Sequence, residues 1–326
     1  MTSKRTNVGP PEPTRLLARG LLAACWLCAG AAIPAHADVP LYQAIVPLAG
    51  STEADRTQAV GEALKVAAVR ASGRTAAATS PRIVAAASQP ASYVQQYSTT
   101  SDRQLRVGFD GRAVEQLLTQ AGLPLWPAER PPVTVYLFAP SVAGGARAIT
   151  AGERTPERDE VERVAQRRGV PVAWPTELVD PASARARIAS PGAVLLGQGA
   201  GVAFEWTFAH AGQSARAQGP LDAGVDLAAD RLAERYAPAS TRSTASVTLR
   251  IGGLDGVRDY AALLEYLEGL SLVRGVEVRE FVRDSVEVAL VVRGDRELLE
   301  RIFALERRLV PAAGGAGGVE FVWQRS

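Results

Sequence analysis

Cysteine is nearly missing from this chain: Cys25 and Cys28 are the two in 326 residues, both close to the start. Histidine is as scarce, with His36 and His210, and lysine is confined to Lys4 and Lys65. If the first 37 residues are removed in processing, as argued below, one histidine, one lysine and no cysteine remain. That excludes structural disulfides and any zinc site built from His and Cys. A P-loop needs a lysine after its glycines, and Lys65 has no such run before it. No G-x-S-x-G elbow and no D-x-D-x-D-G calcium loop occurs. The formal net charge is +2, and the segment before Asp38 carries four bases and one acid, so the remainder stands at −1. A nucleic-acid protein would show a strong basic excess. No later stretch approaches the roughly 20 apolar residues of a membrane-spanning helix. No cofactor, no nucleic-acid partner and no transmembrane segment after cleavage are therefore read from the sequence.

What is present at the start looks like an address. Lys4, Arg5, Arg15 and Arg19 precede an uncharged run from Gly20 to Ile33, and Ala35-His36-Ala37 follows Pro34. A basic segment, a short apolar segment and an A-x-A site describe a secretory signal peptide. The expectation is Sec-type export with cleavage after Ala37 and a periplasmic or secreted product. The Cys25-Trp26-Leu27-Cys28 pair then belongs to the apolar segment, not to a redox site. Leu22-Ala23-Ala24-Cys25 also reads as a lipobox, but Arg19 leaves it only Gly20 to Ala24 as apolar run. Release as a soluble protein is the preferred reading over a lipoprotein anchored at Cys25.

After the 1–37 signal segment, the chain divides into three regions of α+β and α/β character. Residues 38–130 read as an N-terminal α+β unit. Its helix over 53–71 starts at Thr52 and Asp55 in an S/T-x-x-D box and stops at Gly73. Ser80-Pro81 opens a second helix, and "ASYVQQY" is read as further helical turns. "QLRVGFD" alternates as a half-buried strand, and Asp110 caps the next helix. The proline-rich "LPLWPAERPP" marks a boundary. Residues 131–240 alternate strands and helices, which predicts a central α/β layer domain. In it, "VTVYLFA" suits a strand covered on both faces. "ERTPERDEVERVAQRR" reads as a solvated helix with an Asp159–Arg163 pair. "APASTRSTAS" reads as a polar linker.

Residues 245–326 follow the order βαββαβ, the ferredoxin-like arrangement, with the second helix running to Val310. Alternation assigns Val247, Leu249, Ile251, Val276, Val278, Val286, Val288, Leu290, Val292, Val319, Phe321 and Trp323 to the helix side. Thr248, Arg250, Glu277, Arg279, Glu287, Arg293 and Glu320 take the open side. That side lacks the aromatics an RNA-binding sheet would use to stack bases.

The strings "YVQQY", "LRVGFD" and "AVEQLLTQAGLPLWPAERP" resemble DUF2066, a family of secreted proteobacterial proteins. The likeness runs from about residue 41 to 238, with a shortened stretch between Val179 and Ala193. It implies an exported protein and no particular activity, because the family has none assigned.

Chemistry is thin along the rest of the chain. His210 sits in the "HAGQ" turn and reads as solvent-exposed. "GQGAG" is superficially like a phosphate-cradling loop, but a strand follows it where that mechanism needs a helix. Lys65 reads as a helix-surface residue. The leading expectation is a non-enzymatic envelope protein with an envelope protein partner, its contact face carried by Arg250, Arg279, Glu287 and Arg293. The alternative is a hydrolase using carboxylates at Asp180, Glu205 and Asp222.

Overall fold

The computed structural model describes residues 40–100, 103–140, 146–200, 202–312 and 318–325. The signal segment, both cysteines and the A-x-A site lie outside them. Residues 36–326 form one compact unit. Its described residues hold eight α-helices and three sheets, an α+β protein.

The first region runs β1 (Gln43–Pro47), α1 (Glu53–Ser72), α2 (Pro81–Ser88), β2 (Val94–Thr99), β3 (Gln104–Phe109) and α3 (Gly111–Gln120). The strands form an antiparallel sheet in the order β1-β3-β2. Thr52 Oγ1 accepts from the Asp55 N–H at 3.1 Å, and Asp55 Oδ2 accepts from the Thr52 N–H at 3.0 Å, closing the capping box. Gly73 ends α1 at φ 69°, left-handed backbone that glycine takes without a Cβ clash. Val60, Leu64, Ala67, Ala68 and Ala71 pack with Leu105, Val107, Phe109, Val114, Leu117 and Leu118. The helical reading of "ASYVQQY" is corrected. One 3₁₀ turn, Pro90–Tyr93, gives way to β2. Pairing with β3 supplies backbone partners that an uncapped two-turn helix would leave open.

The second region runs β4 (Val133–Pro140), β5 (Ala146–Ala148), α4 (Pro156–Arg168), β6 (Val172–Ala173), α5 (Pro181–Ala186), β7 (Ala193–Ala200), β8 (Ala203–His210), β9 (Gln213–Gly219) and α6 (Leu221–Tyr236). Its sheet is mixed, ordered β5-β4-β7-β8-β9 with β6 beside β4. Both faces of β4 are covered, as its continuous apolar run predicts. Val133, Val135 and Leu137 face α4 and α6, and Tyr136 and Phe138 pack with Val194, Leu196 and Ala184. The Asp159–Arg163 pair does not form. Arg163 turns to Glu160, and Arg158 Nε reaches Glu162 at 2.7 Å.

The third region runs β10 (Thr244–Gly252), α7 (Val257–Gly269), β11 (Val273–Val282), β12 (Ser285–Arg293), α8 (Arg296–Glu306), β13 (Leu309–Pro311) and β14 (Phe321–Trp323). The order is β11-β12-β10-β14-β13. Val286, Val288, Leu290 and Val292 are all fully buried, so the pleat is faced as read. Two details differ. Arg307 takes φ 58°, so α8 stops at Glu306, and Leu309–Pro311 becomes a strand. The last strand pairs with β10 in parallel, as half of a β13–β14 hairpin. Val278, expected inside, is 39% exposed. It lies on the edge strand beside a register shift between Val278 and Glu280 that carries the strand end away from cover. Val319 lies before β14 and is half-buried.

One apolar cluster runs from Trp126 through the helix side of the central sheet to Trp323 in the last one. The proline-rich boundary is packed too: Trp126 belongs to this cluster, Leu125 to the core of the first region, and Arg130 is buried. The polar linker is equally engaged. Thr241 is 1% exposed, and its Oγ1 accepts from the Leu125 N–H at 2.9 Å.

Candidate functional site

The charged residues divide into those that hold the three sheets together and those that face outward. Arg130 is of the first kind. It lies 3.9 Å over the Trp126 ring and forms no ion pair with a carboxylate among the described residues. Instead it donates to the carbonyls of Pro127, Gly169, Arg70 and Trp126 at 3.0, 2.6, 2.9 and 3.2 Å. Burial pulls its pKa down to about 9. Arg70 donates to the Pro40 carbonyl at 2.7 Å and to that of Gln43, and burial lowers it to about 10. Arg168, 3% exposed, reaches Asp226 and Asp230 at 2.6 Å each. These residues tie the ends of α1, α4 and the boundary segment into one block.

The four residues of the expected contact face do not act as one surface. Arg250 and Glu287 stand opposite each other on β10 and β12 and pair at 2.7 Å. Arg279 occupies the bulge on β11 and pairs with Glu277 at 3.1 Å. Arg293 lies at the other end and turns inward, reaching Glu115 of α3 at 3.2 Å. Arg274 joins the same carboxylate at 2.6 Å, and the Tyr42 hydroxyl donates to it at 2.8 Å. Burial, then the Glu115 charge, pushes the Tyr42 hydroxyl well above its usual range. The cavity beside this cluster is about 30 Å³, the scale of one water. Arg293 thus belongs to an internal seam between the first and third sheets.

The alternative carboxylates serve separate local purposes. Asp180 caps α5, accepting from the Ala182 and Ser183 N–H groups at 2.9 and 3.0 Å, and its hydrogen bonds with Ser183 hold its pKa low. Glu205 stands exposed on β8 opposite Gln198 and Gln218. Asp222 lies in the first turn of α6. Among the described residues no group of three or more His, Cys, Asp or Glu is placed to hold a metal. Lys65 pairs with Glu62 at 2.8 Å on the surface of α1. The "GQGAG" glycines begin in β7, where Gly197 makes room for the Trp206 ring.

His210 departs from its expectation as an exposed turn residue. It closes β8 half-buried, with Nε2 2.8 Å from the Tyr236 hydroxyl of α6. Burial, then the Arg235 charge, lowers its pKa. It lines a groove of about 890 Å³ with Phe208, Ala215, Arg216, Arg231, Arg235 and Arg301. Three elements converge there: β9 brings Arg216, α6 brings Arg231 and Arg235, and α8 brings Arg301. The sequence offered little signal for this cluster, because Arg231 and Arg301 look like ordinary exposed helix residues.

Comparison with known proteins bears on the first region alone. Residues 35–127 match the family described as Domain of unknown function (DUF8605). That finding overturns the DUF2066 resemblance. Within those strings Asp110 serves as the N-cap of α3, and Val114, Leu117 and Leu118 are its buried positions. Against curated proteins and against solved structures the chain has no significant match.

Proposed function

We propose that the chain is an exported, non-enzymatic protein of the cell envelope that works by binding another protein. The observation that carries this is an apolar patch at the free edge of the last sheet. Phe281 is 51% exposed and rests edge-on against Tyr260 of α7 at 5.6 Å, with Val278 on the same face of the strand at 39%. Val257, one turn before Tyr260, is 84% exposed. Glu277, Arg279, Glu280 and Arg283 surround it with charge. An aromatic centre with a charged rim suits a protein contact better than a small-molecule site. This moves the contact surface from the open sheet face to the β11 edge and keeps Arg279 in it. Among the described residues no helix is long and apolar enough to cross a membrane.

The same reading holds 38–130 as an α+β unit, 131–240 as an α/β layer and 245–326 as a ferredoxin-like unit whose last strand has become a hairpin. Its export follows from the n-terminal charge and apolar pattern, with Asp38 as the first mature residue. The test is affinity capture from envelope extracts with the wild type and Phe281→Asp. The variant should keep its thermal transition, since the side chain is half in water, and lose the captured partner. Identical capture by both proteins overturns the assignment.

A further inference from the structure

The groove beside His210 is a different feature from the β11 patch, on another part of the fold. Four guanidiniums line it: Arg216, Arg231, Arg235 and Arg301. Glu234 in the lining is taken by Arg231 at 2.8 Å, and Glu297 on the rim reaches Arg301 at 3.2 Å. Four positive charges against two negative ones leave an excess of two. Arg216 and Arg235 make no ion pair with any described residue. Arg301 is also fixed from behind, donating to the Arg235 carbonyl at 2.6 Å. That bond covers one of the open carbonyls at the C-terminal end of α6, which would otherwise repel an anion.

We propose that this groove binds a phosphomonoester, with Arg216, Arg235 and Arg301 holding the phosphate. The charge excess of two matches a phosphate dianion and exceeds what one carboxylate would neutralise. Guanidinium forks hold such oxyanions through paired N–H donors, and of the three arginines here, from three elements, only Arg301 is met by a carboxylate, the exposed Glu297. The volume is far larger than a free phosphate requires and falls within the range of small-ligand sites. Phe208 and Ala215 give the lining an apolar portion for the organic part of the ligand. His210 sits among the same residues, next to Tyr236 and Arg235.

A soluble phosphomonoester and the headgroup of a phosphomonoester lipid share this chemistry. The full chain without residues 1–37 is titrated calorimetrically with glycerol 3-phosphate, and with sulfate at matched ionic strength. In parallel it is sedimented with phosphatidylcholine vesicles, with or without phosphatidic acid. The comparison protein is Arg216→Gln/Arg235→Gln, whose fold is checked by circular dichroism; exposed Arg216 makes its loss structurally mild. Arg82→Gln on α2 is the control for net charge. Saturable binding of glycerol 3-phosphate, weakened tenfold or more in the double variant and unchanged in Arg82→Gln, supports a soluble ligand. Binding confined to phosphatidic acid vesicles, with the same variant pattern, supports a lipid headgroup. Absence of binding in both arms, binding equal to that of sulfate, or binding unaffected by the double variant overturns the proposal.

Discussion

His210 shows how one residue's surroundings set its chemistry. Its ring is half-buried and faces Tyr236 and Arg235 of α6 and Gln213 across the β8–β9 turn, with the Gly192 backbone partly opposing burial. The folded-state pKa lies below the ordinary value, so the fold favours the neutral ring. An unfolded chain takes up the proton first, near pH of about 6.5. The neutral-ring contribution is therefore complete above that value and is lost as pH falls through the lower folded pKa. His210→Gln should have a flatter stability profile than the wild type between those limits, read as urea midpoints at stepped pH. Parallel profiles for the two proteins would remove the assignment. The contrast with Arg130 is one of hydration: Arg130 keeps its place without any anion, because four carbonyls replace its water.

At the scale of elements, the β7–β8–α6 layer depends on two missing side chains. A Cβ at Gly197 would fall 2.3 Å from the Trp206 ring, and one at Gly224 would fall 2.2 Å from it. Trp206, 1% exposed, fills the slot between strand and helix, and its Nε1 donates to the Pro220 carbonyl at 3.1 Å. Gly224→Ala gains about 1 kcal/mol of helix propensity. Overpacking a rigid ring costs about 1–3 kcal/mol. The ring is held on both sides, so the upper part of that range applies and the variant should be destabilised by about 1–2 kcal/mol. The urea midpoint, followed by tryptophan fluorescence, measures it; a stabilised variant would mean that α6 can slide.

Across the whole molecule, polar groups as well as apolar ones join the three sheets. Arg130 links the end of α1 to the end of α4, and Glu115 links α3 to Arg274 and Arg293 of the last sheet. Arg130→Met keeps volume but leaves buried carbonyls at Gly169 and Arg70 without a donor. The loss should be about 3 kcal/mol or more, since each orphaned buried acceptor costs about 1–3 kcal/mol. Arg130→Lys should recover only part of it, because an ammonium cannot span the same acceptors. Urea unfolding of the three proteins checks this order; equal midpoints would show that the arginine is dispensable at the junction.

Much of the fold was legible in the sequence because its signals are local. Thr52 with Asp55, Asp110, Thr155, Asp180 and Asp295 cap helices in the structure, and Gly73 and Gly169 end them. The run Val286, Val288, Leu290, Val292 faced its strand correctly, because a slip of one residue would expose all four. Other features depend on residues far apart in the chain. The strand at Val94–Thr99 exists because β3 lies beside it, and the parallel pairing of β14 depends on where a hairpin folds back. Arg293 reads as an open-face residue until α3 brings Glu115 to it. Arg216, Arg231, Arg235 and Arg301 are unremarkable surface charges along the sequence, and only the packing of β9, α6 and α8 gathers them into one groove. Local sequence determines caps, periodicity and facing. Convergence of charge is decided by tertiary structure, because it depends on contacts between distant segments that no local pattern encodes.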